Sequence, residues 1–269
     1  MVSEIYIIML LAFIGSVVAL VGGVVFLYIK PWTEFLVKYS TPFAAGVLLT
    51  VSIAGLLPEA YHLLGETAFL VVLFSFLAAY LFESLICDLH HHNDGRHNYK
   101  KDLSSSSWMV VIGDTIHNFI DGVAIAAAYL INPGLGIITT ASTFLHEVPH
   151  EIGDFGILLK AGWKKKKVLL VNFISALFTL VGAFLVIIIN PSATVIGILL
   201  AIAAGMFLYI GASDFLPHAG DSLSTKKAVT SLLLGVIIML FTLNLIPHSH
   251  QDEHSHDQDH HHLENNDKH

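Results

Sequence analysis

WMVVIGDTIHNFIDGVAIAAAYL, residues 108–130, and LGIITTASTFLHEVPHEIGDFGILLK, residues 135–160, decide how this chain folds. Crossing the ~30 Å hydrocarbon core of a bilayer takes roughly 20 residues of apolar helix, and both stretches are long enough. Each nevertheless carries ionisable groups, which cost on the order of 3 kcal/mol apiece at the bilayer centre even on the mildest scale. At ~100° per residue, Asp114, His117, Asn118 and Asp121 share one arc of the first helix, and His146, Glu147, His150, Glu151 and Asp154 share one arc of the second. Each helix therefore has a single polar stripe, with His117 and His146 near mid-membrane. Antiparallel packing would turn the stripes toward each other. Imidazole and carboxylate at i, i+3 and i, i+4 on facing helices form the ligand arrangement of a bundle-core metal site. A purely structural hydrogen-bond lock needs fewer than these nine ligand-capable side chains.

The remainder of the chain supplies the bundle. Of 269 residues, 55% are hydrophobic and 13% charged, where soluble domains carry about a quarter charged residues. Further apolar runs lie at 5–29, 42–64, 67–87, 168–190, 193–216 and 228–247, bounded by Pro, Gly, Asn or charge. The expected fold is an all-α integral membrane protein with eight transmembrane helices. The first run has Glu4 ahead of it and no basic residue, and reads as a retained span rather than a signal peptide. Twelve of the 13 basic residues fall in alternate joins: Lys30 and Lys38; Arg96, Lys100 and Lys101; Lys160 and Lys164 to Lys167; Lys226 and Lys227. Because cytoplasmic loops retain Lys and Arg, both termini are expected on the extracytoplasmic side of a multi-pass protein of the cell membrane.

Domain organisation follows: an eight-span unit over 1–247 with a histidine-rich cytoplasmic loop at 88–107, then a His/Asp-rich extracytoplasmic tail at 248–269, expected to be disordered. His90, His91, His92 and His97 in the loop, and eight His among the tail's carboxylates, bind divalent metals loosely, since a flexible chain imposes little geometry. A formal charge of −8 excludes a nucleic-acid partner, and a lone Cys87 excludes a disulfide framework or thiolate zinc cage. Pro149, between the two histidines of the second stripe, is expected to open or kink its helix. Glu59, His62, Glu83, Asp88, Asp214 and His218, near span ends, mark either an entrance and exit or ordinary polar caps.

With HNxxDG in the fourth span and HExPHExGD in the fifth, the chain resembles the Zrt/Irt-like (ZIP) divalent-metal transporters, and specifically the branch defined by the second motif. The likeness runs through all eight spans and the histidine-rich loop between the third and fourth. It implies that His117, Asp121, His146 and His150 form the primary transport site, and that Asn118 and Glu147, sharing Asp121 and His150, form an adjacent one; Glu151 completes the set of candidate ligands. The sixth span departs from the family pattern in offering Asn172, Ser175 and Thr179 but no acid. The resemblance further implies import toward the cytoplasm by alternating access, spans one, four, five and six sliding against the other four, and a homodimer in the lipid bilayer. Zinc is then a transported substrate rather than a cofactor. Mixed imidazole and carboxylate ligands also accommodate Fe²⁺ or Mn²⁺, and the lack of thiolates disfavours Cu⁺.

Two other functions compete. His146-Glu147-Val148-Pro149-His150 satisfies HExxH, the zinc-binding helix of metalloproteases; an intramembrane protease, however, has no use for a second stripe, and proline between the histidines is unusual there. An exporter of the cation-diffusion type also places His and Asp at i, i+4, but is a six-span bundle with cytoplasmic termini. The expected protein is a transporter and not an enzyme.

Overall fold

The computed structural model describes residues 2–91, 99–220 and 223–245; His92, His97 and the tail at 248–269 lie outside the described residues. Among the described residues all regular structure is helical, in eight rods. Helix α1 covers 2–28, α2 covers 30–64, α3 is Thr67–His91, α4 is Tyr99–Ile131, α5 is Pro133–Lys160, α6 is Lys165–Ile189, α7 covers 193–218 and α8 is Thr225–Leu245. Local chemistry sets the turns. Asn132 caps α5, its Oδ1 accepting from the amides of Gly134 (2.8 Å) and Leu135 (3.3 Å), and Pro133 occupies the first turn, where its missing N–H is not needed. Asn190 ends α6 in the left-handed region (φ 44°), with Pro191 following.

Seven of the rods contain stretches long and apolar enough to cross a membrane. The remaining one, α5, has 28 residues; its His, Glu and Asp stripe, not its length, keeps its hydropathy below theirs. Large apolar side chains such as Phe74, Ile188, Ile189 and Phe241 point outward, while Asp121, His146, Glu147 and Glu151 are fully enclosed. That distribution inverts the one water selects and fits a lipid surround.

Helix α4 lies against α6 and α5, with α1 beside all three; α2 lies against α8 and α3 against α7, and the two groups meet where α2 packs on α5 and α7 on α4. Glycine makes the closest contacts. A Cβ on Gly122 would overlap the carbonyl oxygen of Thr179, and one on Gly182 that of Phe119, so α4 and α6 touch backbone to backbone. Gly46 and Gly235 make the equivalent reciprocal contact between α2 and α8, against the carbonyls of Leu232 and Phe43. Without a hydrophobic driving force in lipid, such small-residue seams let dispersion and close packing hold helices together. Beyond Gly122 the run Ala124 to Ala128 is wholly buried, which makes α4 the central helix.

At the α5–α6 join, Lys167 Nζ stands 3.5 Å from the centroid of the Trp163 ring, Trp163 and Trp108 pack edge to face, and Lys165 Nζ donates to the carbonyl of Leu27 at 3.0 Å. Aromatic and basic residues together are typical of a membrane–water boundary.

Pro149 does not interrupt α5, which stays helical from Pro133 to Lys160. Irregularity occurs instead in three other rods as π-helical stretches, Phe13–Val17 in α1, Val51–Leu56 in α2 and Ile210–Phe215 in α7. Each contains a glycine, and such bulges favour functional sites.

Gly122→Val should force α4 off α6, lowering the thermal midpoint of the detergent-solubilised protein by the equivalent of about 1–3 kcal/mol or preventing folding. Gly113→Ala, on the same helix with open space where its Cβ would go, should be neutral or stabilise by up to about 1 kcal/mol. Equal midpoints for the two variants would contradict the seam.

Candidate metal site

The two stripes do face each other midway along α4 and α5. His117 Nε2 lies 3.1 Å from His146 Nε2 and 3.1 Å from Glu147 Oε1; His146 Nε2 lies 3.2 Å from Asp121 Oδ2; His117–Asp121 and His146–Glu147 approach to 3.8 Å. All four side chains are buried, and their ligand atoms lie within 4.8 Å of one another. Tetrahedral ligands held ~2.0–2.1 Å from a zinc ion stand about 3.3 Å apart; three of these separations are close to that and two are longer, at 3.8 Å.

Protonation of one ring follows from its partner. His146 Nδ1 lies 2.9 Å from the carbonyl oxygen of Ser142; a carbonyl only accepts, so Nδ1 donates, and Nε2 is the nitrogen turned to the cluster. This is the outer hydrogen bond that orients a metal-binding imidazole. Asp121 Oδ1 and Oδ2, Glu147 Oε1 and Oε2, and His117 Nδ1 are buried without a hydrogen bond of adequate geometry. Asp121 and Glu147 each pair with the imidazoles of His117 and His146. Two carboxylate oxygens and two imidazole nitrogens converging in this way make a donor set that a divalent cation would satisfy.

The other candidates separate into two groups. His150 packs its ring against that of His117 (4.8 Å between centroids) and directs Nδ1 elsewhere, 3.6 Å from Asp114 Oδ1 and 3.8 Å from Asp154 Oδ2. Glu151 falls into a group with Asp114 and Glu147. Asn118 faces α1 and α6: its Oδ1 accepts from Ser16 Oγ (2.5 Å) and Thr179 Oγ1 (2.9 Å), and its Nδ2 donates to Asp114 Oδ1 (2.9 Å). The polar face of α6 is used the same way, with Ser175 Oγ donating to Thr115 Oγ1 and Asn172 Nδ2 bonded to the carbonyl of Val168. Asp114 and Asp154 lie beside these groups; Asp154 closes the HExPHExGD motif, and for Asp114 membership of the same helical arc was the available signal. At the span ends, Glu83 Oε2 accepts from Tyr209 Oη at 2.6 Å, and His218 Nδ1 lies 2.7 Å from the carbonyl of Asp214.

Comparison with known proteins supplies the family. The family model described as ZIP Zinc transporter matches residues 88–243, more than half of the chain and both stripes. The chain belongs to the ZIP zinc transporter family. Relatives of this ZIP chain include the zinc transporter foi of Drosophila melanogaster, 38% identical over 144 residues, covering 54% of this chain and 20% of that protein. The zinc transporter ZIP10 of Danio rerio is 42% identical over 128 residues (46% and 15%), and the metal cation symporter ZIP8 of Rattus norvegicus 42% identical over 126 (46% and 27%). The matched region is thus under a third of each relative's length. Family membership together with the apolar helices makes the chain an integral, multi-pass membrane protein.

Asn118→Ala should remove the acceptor shared by Ser16 and Thr179 and the donor to Asp114, costing about 1–3 kcal/mol of stability. Thermal unfolding in detergent checks this; an unchanged midpoint would show that these bonds do not tie α1 and α6 to α4.

Proposed function

We propose that this chain moves a divalent metal ion, zinc first, across the membrane through His117, Asp121, His146 and Glu147. The observation that carries the reading is the convergence of two imidazole nitrogens and two carboxylate oxygens, all buried, at the middle of two membrane-crossing helices. The relatives, two named as zinc transporters and one as a metal cation symporter, agree with it. Mixed nitrogen and oxygen ligands suit Zn²⁺ and also admit Fe²⁺ or Mn²⁺. Asn118 acts by orienting Asp114 and holding α1 and α6, while His150 and Glu151 serve the ion next to the carrying cluster.

A protease reading needs His146 and His150 on one zinc. Among the described residues no ligand group contains both, and family membership leaves the transporter reading in place.

Transport by sliding of α1, α4, α5 and α6 against α2, α3, α7 and α8 is supported by where the polar contacts lie. Ser16–Asn118, Thr179–Asn118, Ser175–Thr115 and His117–His146 fall within the first set; Ser75–Ile202, Tyr209–Glu83 and Ser231–Tyr39 fall within the second. Between the sets the site meets aromatic surface, His146 against Phe207 (5.4 Å between ring centroids) and His150 against Phe215 (6.3 Å). Apolar contacts are non-directional and can be exchanged as surfaces slide, whereas hydrogen bonds hold one register. Both helices of the carrying cluster belong to the same set, so the ligands travel together. The basic joins support termini outside the cytoplasm; import, the homodimer and the HExPHExGD branch rest on the resemblance.

His117→Ala and Asp121→Ala should each abolish zinc uptake into reconstituted vesicles while membrane abundance stays near normal. Saturating zinc should raise the stability of the unaltered chain by about 2.7 kcal/mol at 100 times the dissociation constant and should do so less in either variant. Uptake at the unaltered rate in both variants would dismiss the site.

A further inference from the structure

We infer that the α5–α6 join is a binding site for an anionic phospholipid, with Lys164, Lys166 and Lys167 holding the headgroup phosphate and the exposed apolar face of α6 beneath them taking an acyl chain. Five lysines, Lys160 and Lys164 to Lys167, fall within eight residues, and the chain has no Asp or Glu from 155 to 213. Lys164 to Lys167 are all exposed. Among the described residues no carboxylate forms an ion pair with any of the five. Like charges this close repel one another unless an anion lies against them, and a run of four basic residues at the end of a membrane helix is matched by anionic headgroups.

Two of these lysines are fixed in place. Lys165 Nζ donates to the carbonyl of Leu27 at 3.0 Å and stands 5.1 Å from the centroid of the Tyr28 ring, which fastens the join to the end of α1. Lys167 Nζ lies 3.5 Å from the centroid of Trp163 and 5.1 Å from that of Trp108, and the two indoles pack edge to face with centroids 5.1 Å apart. An ammonium has three donors, and the ring faces hold Lys167 without supplying an oxygen to accept from it. A phosphate therefore meets a cation already positioned, with Lys164 and Lys166 on either side of Lys165 to close on it, so less side-chain freedom is lost on binding.

The surface next to the cations selects a lipid over a soluble phosphate. Leu170 follows Lys166 by four residues and Lys167 by three, and Phe173 and Ile174 continue the same face one turn on; all three are exposed. On α4, which lies against α6, Trp108, Ile112 and Ile116 form a second exposed stripe at intervals of four, and it starts at the indole that Lys167 covers. Cations, then indole edges, then bare aliphatic surface follow one another along the membrane normal, the order of headgroup, interface and chain in a phospholipid. A free phosphate would use only the first of these. The join links α5, which carries His146 and Glu147, to α6, and through Lys165 to α1, so a bound lipid braces three helices at one end. The lipid site does not depend on which ion the chain carries.

Titrating the full-length protein in a neutral detergent with phosphatidylglycerol, and separately with phosphatidylcholine of the same chains, tests the site, with binding followed by native mass spectrometry and by thermal unfolding. Phosphatidylglycerol should bind roughly tenfold or more tightly than phosphatidylcholine, raise the unfolding midpoint and lose most of its advantage in high salt. Lys164→Gln with Lys166→Gln and Lys167→Gln, leaving Lys165 to fasten α1, should abolish the preference, while Arg at the same three positions should keep it. Lys226→Gln with Lys227→Gln, at another basic join, should leave it intact. Equal affinity of the unaltered chain for the two lipids overturns the site whether or not the Gln variant folds. So does a preference that survives the three Gln substitutions, or one that the Lys226 and Lys227 pair removes equally. Displacement of phosphatidylglycerol by millimolar inorganic phosphate would make the join a site for a free anion and overturn the lipid as its occupant.

Discussion

Ionisable side chains at the middle of a bilayer must be enclosed by protein and given partners there, and this requirement organises the molecule around α4. Its polar stripe faces α5. Its remaining surface is made of residues that let neighbours close in: Gly122 against the backbone of α6, and the buried run Ala124 to Ala128 inside the bundle. Larger side chains would hold α6 and α1 away and admit lipid or water to the stripe. Asn118 stands at the boundary between the two faces, tying Ser16 of α1 and Thr179 of α6 to Asp114 of the stripe. Packing and polarity are therefore coupled through one residue.

The division of labour between the two sets of helices follows from the same physics. Polar groups that hydrogen-bond inside a set make it rigid, since in hydrocarbon the alternative is an unsatisfied donor or acceptor. Apolar and aromatic contact across the boundary, as between His146 and Phe207, imposes no register. The π-helical stretches in α2 and α7, Val51–Leu56 and Ile210–Phe215, lie in the set opposite the ligands, and Phe215 of the second packs against His150. Helix α5, despite Pro149, remains continuously helical through His146, Glu147 and His150.

Eight spans, two polar stripes and their meeting at mid-membrane were all legible from residue order. Apolar length specifies a membrane helix, the 3.6-residue period specifies which side chains share a face, and the cost of charge in hydrocarbon makes a cluster informative. The stripes of α4 and α5 could be read for these reasons, and so could the approach of His117, Asp121 and His146; the sequence reading put His150 with them, where the structure has Glu147. Helical period does not fix the axial offset between two helices or the rotamers their side chains choose. Only the tertiary structure decided that the stripe splits in two, with His150 turned toward Asp114 and Asp154, Glu151 grouped with Asp114, and Asn118 engaged by α1 and α6. Those outcomes depend on contacts more than a hundred residues apart, such as Ser16 with Asn118, and on how closely Gly122 and Gly182 let two backbones approach, neither of which a single helix's sequence contains.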